Sequence, residues 1–336
     1  MKKHIEILQL SGPVDDALLR SACEDFRQMG FSVACPSHPK DDWPYTSGSA
    51  DSRKEHLRSA LHDPNTQIIY AARGGYGASD LLEDLFEQLR NLPCNKVLVG
   101  FSDVCALHAG VYSLKQKEPQ LPLELVHGPM PASSLWDIRY EPNALFLRTL
   151  LKSPTTTRCS LQTKHISING AGPPSEITGP VFGGCFSVLT NLIGTPYFPN
   201  LKDHVLFFED VGENLGRMER HANQWLHSGS FHGVKAMIWG AVNHFEPTNT
   251  NSSKSNKEGS KVICEKNSCE ETSAEQERRK KESELAFEFL RRLAQKTSIP
   301  VFSSEAIGHI RENPPIQLGR IATIQNEGLE WDFSLP

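Results

Sequence analysis

Over its first 115 residues the chain alternates short apolar runs of strand length with longer runs of helical spacing, and that alternation leaves few folds open. Ile5 to Leu10, "FSVAC", "TQIIYAA" and "KVLVGF" read as strands. Between them, Ala17 to Met29 closes on Gly30, and "SADSRKEHLRSALHDP" starts on Ser or Asp and stops at Pro64. "ASDLLEDLFEQL" and "DVCALHAGVYSL" read as two further helices. Strands joined through helices of this length lie parallel, with helices covering both faces of the sheet. Ligands of such sheets gather at the carboxyl ends of the strands. Two short stretches fall there: "RGGYG" after the third strand and "GFSD" after the fourth.

The length of 336 residues suggests two domains. From Pro122 to Ser175 the pattern weakens into a Pro-, Ser- and Thr-containing connection, framed by "KSPTTT" and "AGPPSEITGP". A boundary near residue 165 follows, giving an N-terminal domain over 1–165 and a C-terminal one over 166–336. In the second part, Gly183 and Gly184 lead into an apolar helix, and "HVLFFEDVGE" is a short buried strand ending in acids. "RMERHANQWLHSGSF" is an amphipathic helix and "VKAMIWGAV" another strand. Residues 247–273 are polar, with too little apolar surface to offset the entropy of ordering, and read as a mobile surface loop. A charged helix with an apolar stripe at Leu285, Phe289, Leu290 and Leu293 comes next.

A formal net charge of −5 supplies no basic field for nucleic acid or anionic lipid, so neither is an expected partner. No apolar run reaches the roughly 18 residues of a membrane span, and Glu6 and Gln9 break the N-terminal one, which reads as a strand and not as a secretion signal. The eight cysteines lack zinc-site spacing and read as free thiols of a cytoplasmic protein, with Cys264 and Cys269 in a polar stretch. HExxH and P-loop patterns are absent, so no metal and no cofactor is expected. Small-molecule chemistry is the remaining default.

Ser102 and Asp103 begin the helix after "KVLVGF". Capping of the first helical turn is the commoner fate of such residues, and a nucleophile held on a tight strand-to-helix turn is the other. "RGGYG" either makes a tight turn or aims consecutive amides at negative charge. Glu209 and Asp210 read as solvated strand-end acids, or as a carboxylate that orients an imidazole. Among 13 histidines, His309 stands after a glycine in a loop, whereas His108, His127 and His221 have structural or surface readings. No GxSxG occurs, since Val104 stands where its second glycine would be, which argues against a standard α/β-hydrolase elbow.

Taken together, "SGPVDDALLRSACEDFRQMGFSV", "ARGGYGASDLLEDL", "LVGFSDVCALH", "HGPM", "GGCFSVLTNLIGTPYFP", "LFFEDVGENLGRMERHANQWLHSG" and "IGHIRENPPIQLG" resemble the LD-carboxypeptidase family of serine peptidases, which includes the microcin C immunity peptidases. The pieces stand in the family's order over nearly the whole chain. The resemblance implies an α/β fold: an N-terminal domain with a parallel sheet flanked by helices carries the nucleophile, and a C-terminal, mainly β domain with helices carries the acid and the base. It implies catalytic Ser102, Glu209 and His309, oxyanion amides of Asp103 and Gly75, and substrate contacts from Arg73, Gly74 and Tyr76. Two features depart from the family pattern: the tract at 247–273 is longer, and "SSEAIGH" is less apolar before the histidine.

The implied activity is serine-type hydrolysis of the bond between an L-diamino acid and D-alanine in cytoplasmic murein tetrapeptides, during cell-wall recycling. The resemblance also suggests a homodimer. Hydrolysis of peptidyl- or aminoacyl-nucleotides is the alternative within the same fold, and a non-catalytic peptide-binding protein is the alternative outside enzymology.

Overall fold

The apolar runs of the first third settle as parallel strands between helices with ordinary caps. In the computed structural model, β1 (His4–Leu8), β2 (Ser32–Ala34), β3 (Thr66–Ala71), β4 (Lys96–Gly100) and β5 (Leu123–His127) alternate with α1 (Asp16–Gln28), α2 (Ala50–His62), α3 (Leu85–Gln88) and α4 (Cys105–Lys115). The structure describes residues 2–36, 43–133, 135–136, 140–152, 155–167, 172, 174–243, 273–311, 313–325 and 328–335. Asp15 caps α1 by accepting from the amides of Ala17 and Leu18, and Ser49 caps α2 by accepting from Ser52. Every residue of β4 is buried, as a strand covered on both faces must be. Even Lys96 is inside, its ammonium donating to the carbonyls of Asp63 and Thr66 at 2.7 and 2.5 Å.

Two expectations need correction. The stretch 78–89 is not one helix but a 3₁₀ turn, Ala78–Leu81, followed by the single turn of α3. Ion pairs from α2 hold the break: Arg53 binds Asp80 at 2.8 Å, and Lys54 binds both Glu83 and Asp84 at 3.0 Å. The supposed connection at 122–175 contains β5, α5 (Glu141–Lys152), β6 (Thr155–Gln162) and β7 (Lys164–His165). Its signal is weak because β6, "TTTRCSLQ", is half exposed and uses threonine, a good strand former, in place of larger apolar residues.

The chain continues through β8 (Glu176–Cys185), α6 (Phe186–Thr190), β9 (Val205–Val211), α7 (Leu215–His227), β10 (Ala236–Asn243), α8 (Ser273–Thr297), β11 (Val301–Ser303), β12 (Ile316–Gln317), β13 (Ile321–Gln325) and β14 (Gly328–Leu335). Residues 247–272 of the polar tract lie outside the described residues. Two sheets result, ordered β12-β5-β4-β3-β1-β2 and β6-β14-β13-β8-β9-β10-β11-β7. The second is mixed: β8 to β11 run parallel in its centre, with antiparallel strands on either side. β12 returns to the first sheet, where Ile316 pairs with His127.

Behind β9, Phe208 packs against Phe186, Trp225 and Trp239 at ring distances of 4.9, 5.1 and 5.1 Å, and the indole N–H of Trp225 donates to Thr190. This aromatic block makes β9 a rigid support. Among the described residues no helix is long and apolar enough to cross a membrane.

Candidate active site

After β4 the chain turns through Phe101 into Ser102, whose φ of +59° lies in the left-handed region that side-chain-bearing residues rarely occupy. Such a conformation costs of order 1 to 3 kcal/mol and persists only where its surroundings enforce it. Neither Ser102 nor Asp103 caps α4; the residue preceding that helix is Val104, with no side-chain cap. Both side chains instead reach other elements. Asp103 accepts from the amide of Ala78 at 2.8 Å, and Ser102 Oγ lies 3.0 Å from His309 Nε2.

Nδ1 of His309 donates to Glu209 Oε2 at 2.6 Å. Because the carboxylate accepts from Nδ1–H, Nε2 is the unprotonated nitrogen and accepts from the serine hydroxyl. Glu209 and Asp210 are not solvated strand-end acids; they lie within β9 and are buried. The carboxylate of Asp210 accepts from the amides of Ser187 and Val211 at 2.8 and 2.9 Å. Burial, reinforced by the neighbouring Glu209 charge, pushes Asp210 up to about 6. For His309, burial works against the imidazolium, but the charge and hydrogen bond of Glu209, with the charge of Asp210, outweigh it and raise the imidazole above its ordinary value.

Gly308 gives the histidine its approach. Its φ is +125°, and a Cβ there would come within 3.1 Å of the Ala241 carbonyl and 3.2 Å of Glu209 Cβ. The ring of His309 packs on Phe101 at 4.9 Å, and His127 lies behind Phe101 at 5.6 Å. His127 is fully buried and burial lowers it well below the ordinary value, so it stays neutral.

Ser102 opens into a cavity of about 710 Å³ bordered also by Gly75, Tyr76, Asp103, Asp210 and Arg217. Gly74 lies against the serine so closely that a Cβ on it would be 2.9 Å from Ser102 Oγ. Arg73, by contrast, is exposed, donates to the carbonyl of Pro13 at 3.0 Å and is not among the cavity-lining residues. Sequence reasoning missed Trp43, which borders the same cavity, and Tyr45, which joins Trp43 to Tyr76 at ring distances of 5.3 and 6.2 Å. The "WPY" run beside the glycine-containing turn was the available signal. Among the described residues no group of three or more His, Cys, Asp or Glu side chains is placed to hold a metal ion. A hydroxyl, an imidazole and a buried carboxylate in this order can move a proton off the oxygen as it attacks an electrophile.

The LD-carboxypeptidase N-terminal domain model matches residues 5–118, and the C-terminal domain model residues 178–324. A Streptomyces coelicolor relative, named "Putative carboxypeptidase SCO6489", is 31% identical over 252 residues, covering 72% of this chain and 76% of its own. The murein tetrapeptide carboxypeptidase of Pseudomonas aeruginosa is 25% identical over 219 residues, covering 63% of this chain and 67% of its own. Among solved structures, the muramoyltetrapeptide carboxypeptidase of Oxalobacter formigenes shares the fold with a TM-score of 0.73, at 21% identity over 98% of both chains. MccF in complex with glutamyl sulfamoyl guanosine does so with a TM-score of 0.70, at 19% identity over 99% of this chain and 96% of that one. With both family domains matched in order and a relative this similar across most of its length, the chain belongs to the LD-carboxypeptidase family.

Proposed function

We propose that the chain is a serine carboxypeptidase that removes D-alanine from murein tetrapeptides in the cytoplasm, cutting after the L-centre of the diamino acid. The observation that carries this reading is the relay Ser102 Oγ to His309 Nε2 at 3.0 Å and His309 Nδ1 to Glu209 at 2.6 Å. Ser102 attacks the scissile carbonyl while His309 takes its proton, and Glu209 holds the imidazole in the required tautomer. The amides of Gly75 and Asp103 receive the oxyanion, each donor worth about 2.7 to 4 kcal/mol in comparable sites. His309 then passes its proton to the leaving amine of D-alanine, and water releases the acyl group from Ser102. The name of the Pseudomonas relative supports the choice of substrate.

A second reading has its own support. Trp43, Tyr45 and Tyr76 are 60, 56 and 69% exposed beside the cavity, a cluster able to stack on a nucleobase. Hydrolysis of aminoacyl-nucleotides would use the same relay.

The deciding experiment measures free D-alanine from a murein tetrapeptide, with an aminoacyl sulfamoyl adenosine assayed in parallel, for the wild type and Ser102→Ala. D-alanine from the wild type alone supports the murein reading. Turnover of the sulfamoyl compound alone replaces it with the second, and activity retained in Ser102→Ala sinks both.

A further inference from the structure

The glycine-rich loop over Ser102 is fastened from below by a side chain outside the relay. Arg53, on α2, is buried, with only 1% of its side chain exposed. Its Nη1 donates to the carbonyls of Gly77 at 2.6 Å and Leu10 at 3.1 Å, and its Nη2 donates to the carboxylate of Asp80 at 2.8 Å. A buried guanidinium forfeits its hydration; here Nη1 and Nη2 recover it through these three acceptors, while the buried Nε meets none. Pairing with Asp80 alone would not require burial, since that carboxylate is half exposed. The rigid fork is used to tie three places together: the segment after β1, the loop after β3 and the turn that follows it.

The same loop has two other anchors. Gly12 donates to the carbonyl of Gly74 at 3.2 Å, and Ala78 donates to Asp103, the residue after Ser102. Gly74 to Ala78 is therefore held at its start by the loop after β1, at its end by the nucleophile turn, and at Gly77 by Arg53. The Gly77 carbonyl also accepts from the Asp80 amide at 3.1 Å, but that bond lies within the same turn; without Arg53 the stretch from Gly75 to the Ala78 anchor would lose its tie to α2, and the Gly75 amide its fixed direction.

We infer that Arg53 is a positioning residue for the oxyanion site, aiming the Gly75 amide at the cavity by holding the Gly77 carbonyl. The inference rests on the reading of Ser102 as nucleophile. A merely structural Arg53 would, when replaced, lower stability while leaving each folded molecule at its normal rate.

The test measures kcat and KM, per folded molecule, for wild type, Arg53→Met, Arg53→Lys and Lys54→Met, on whichever of the two substrates above the wild type turns over. Thermal melts accompany each variant. Arg53→Met is expected to lower kcat about 100-fold with KM within threefold, in line with loss of an oxyanion donor. Arg53→Lys, which keeps the charge but lacks the fork, is expected to lose at least about tenfold. Lys54→Met, which removes the neighbouring cation of α2, is expected to stay within about twofold, because its partners Glu83 and Asp84 are exposed and stand beyond the Gly74 to Ala78 loop. A folded Arg53→Met with kcat within threefold of wild type overturns the inference, whatever its melting temperature. Should Arg53→Met not fold, Arg53→Lys decides by the same threshold. Turnover of the nucleotide-linked compound only would sink the murein reading and leave the Arg53 comparison intact. A wild type inert on both substrates overturns both.

Discussion

Glu209 meets His309 from the middle of a buried strand, donor and acceptor 2.6 Å apart, with no part of the glutamate exposed to solvent. A carboxylate in that position is tolerated because the imidazole can share its charge. The pair therefore bears on both the protonation of His309 and the stability of the fold.

The first consequence is a pH profile. Because Glu209 raises His309, kcat/KM is expected to rise through an apparent pKa above the ordinary histidine value of about 6.5. Glu209→Gln should move that midpoint down and lower kcat by roughly 10³ to 10⁴. A midpoint unchanged by the substitution would sever Glu209 from the base. The stability sign follows from linkage: a raised folded pKa contributes stability that is fully present below the unfolded value and disappears as pH rises through the folded one. Urea denaturation of wild type against Glu209→Gln should thus differ more at pH 5.5 than at pH 9.

Ser102 carries a second signature, its positive φ. Ser102→Ala should lose at least about 10⁴ in turnover while keeping its fold. Ser102→Gly should be equally inactive but more stable than the alanine variant by about 1 kcal/mol, since glycine accepts that conformation. Chemical denaturation of the pair checks this, and equal midpoints would show the turn to be unstrained.

Gly74→Ala places a methyl group 2.9 Å from Ser102 Oγ and 3.3 Å from Met130 Cε. The expected result is a loss of about 1 to 3 kcal/mol in stability from overpacking. Displacement of the nucleophile should also reduce kcat about 100-fold or more. Normal kcat in this variant would mean that the loop can retreat without disturbing the serine.

Acid should unfold the protein partly through its interior. His108, fully buried, is lowered to about 4 by burial, and His127 is lowered as well. Groups held neutral in this way contribute stability above the unfolded value of about 6.5 that is lost as pH falls through the folded one. Unfolding free energy should fall between pH 6.5 and 4, and His108→Leu should flatten that slope by about 1.4 kcal/mol per pH unit at most.

Much of this arrangement can be read from residue order, and the failures have physical causes. Strands β3 and β4 announce themselves as apolar runs, so residue order alone puts "RGGYG" and "GFSD" at one sheet edge. The meeting of Ser102 with His309, 207 residues later, depends on how the second sheet packs, which no local pattern encodes. Asp103 looks like a cap because caps are local, yet its acceptor is spent on Ala78, 25 residues earlier. Asp210 looks solvated because an acid pair suggests a surface, whereas amides of Ser187 and Val211 hold it inside. The stretch 78–89 has helical spacing, but α2 supplies cations that favour a break, a contact invisible to periodicity.

The short ladder between β12 and β5 bears on how a ligand would reach the cavity. β12 begins seven residues after His309, and β5 adjoins β4, the strand leading to Ser102. His309 is thereby stitched to the sheet that leads into Ser102, although Glu209 belongs to the other. Any jaw-like parting of the two sheets wide enough to separate Ser102 from His309 would first have to unzip Ile316 from His127. Ser102, His309 and Glu209 are in this sense a clamped instrument, and any ligand of the cavity must pass along its open side.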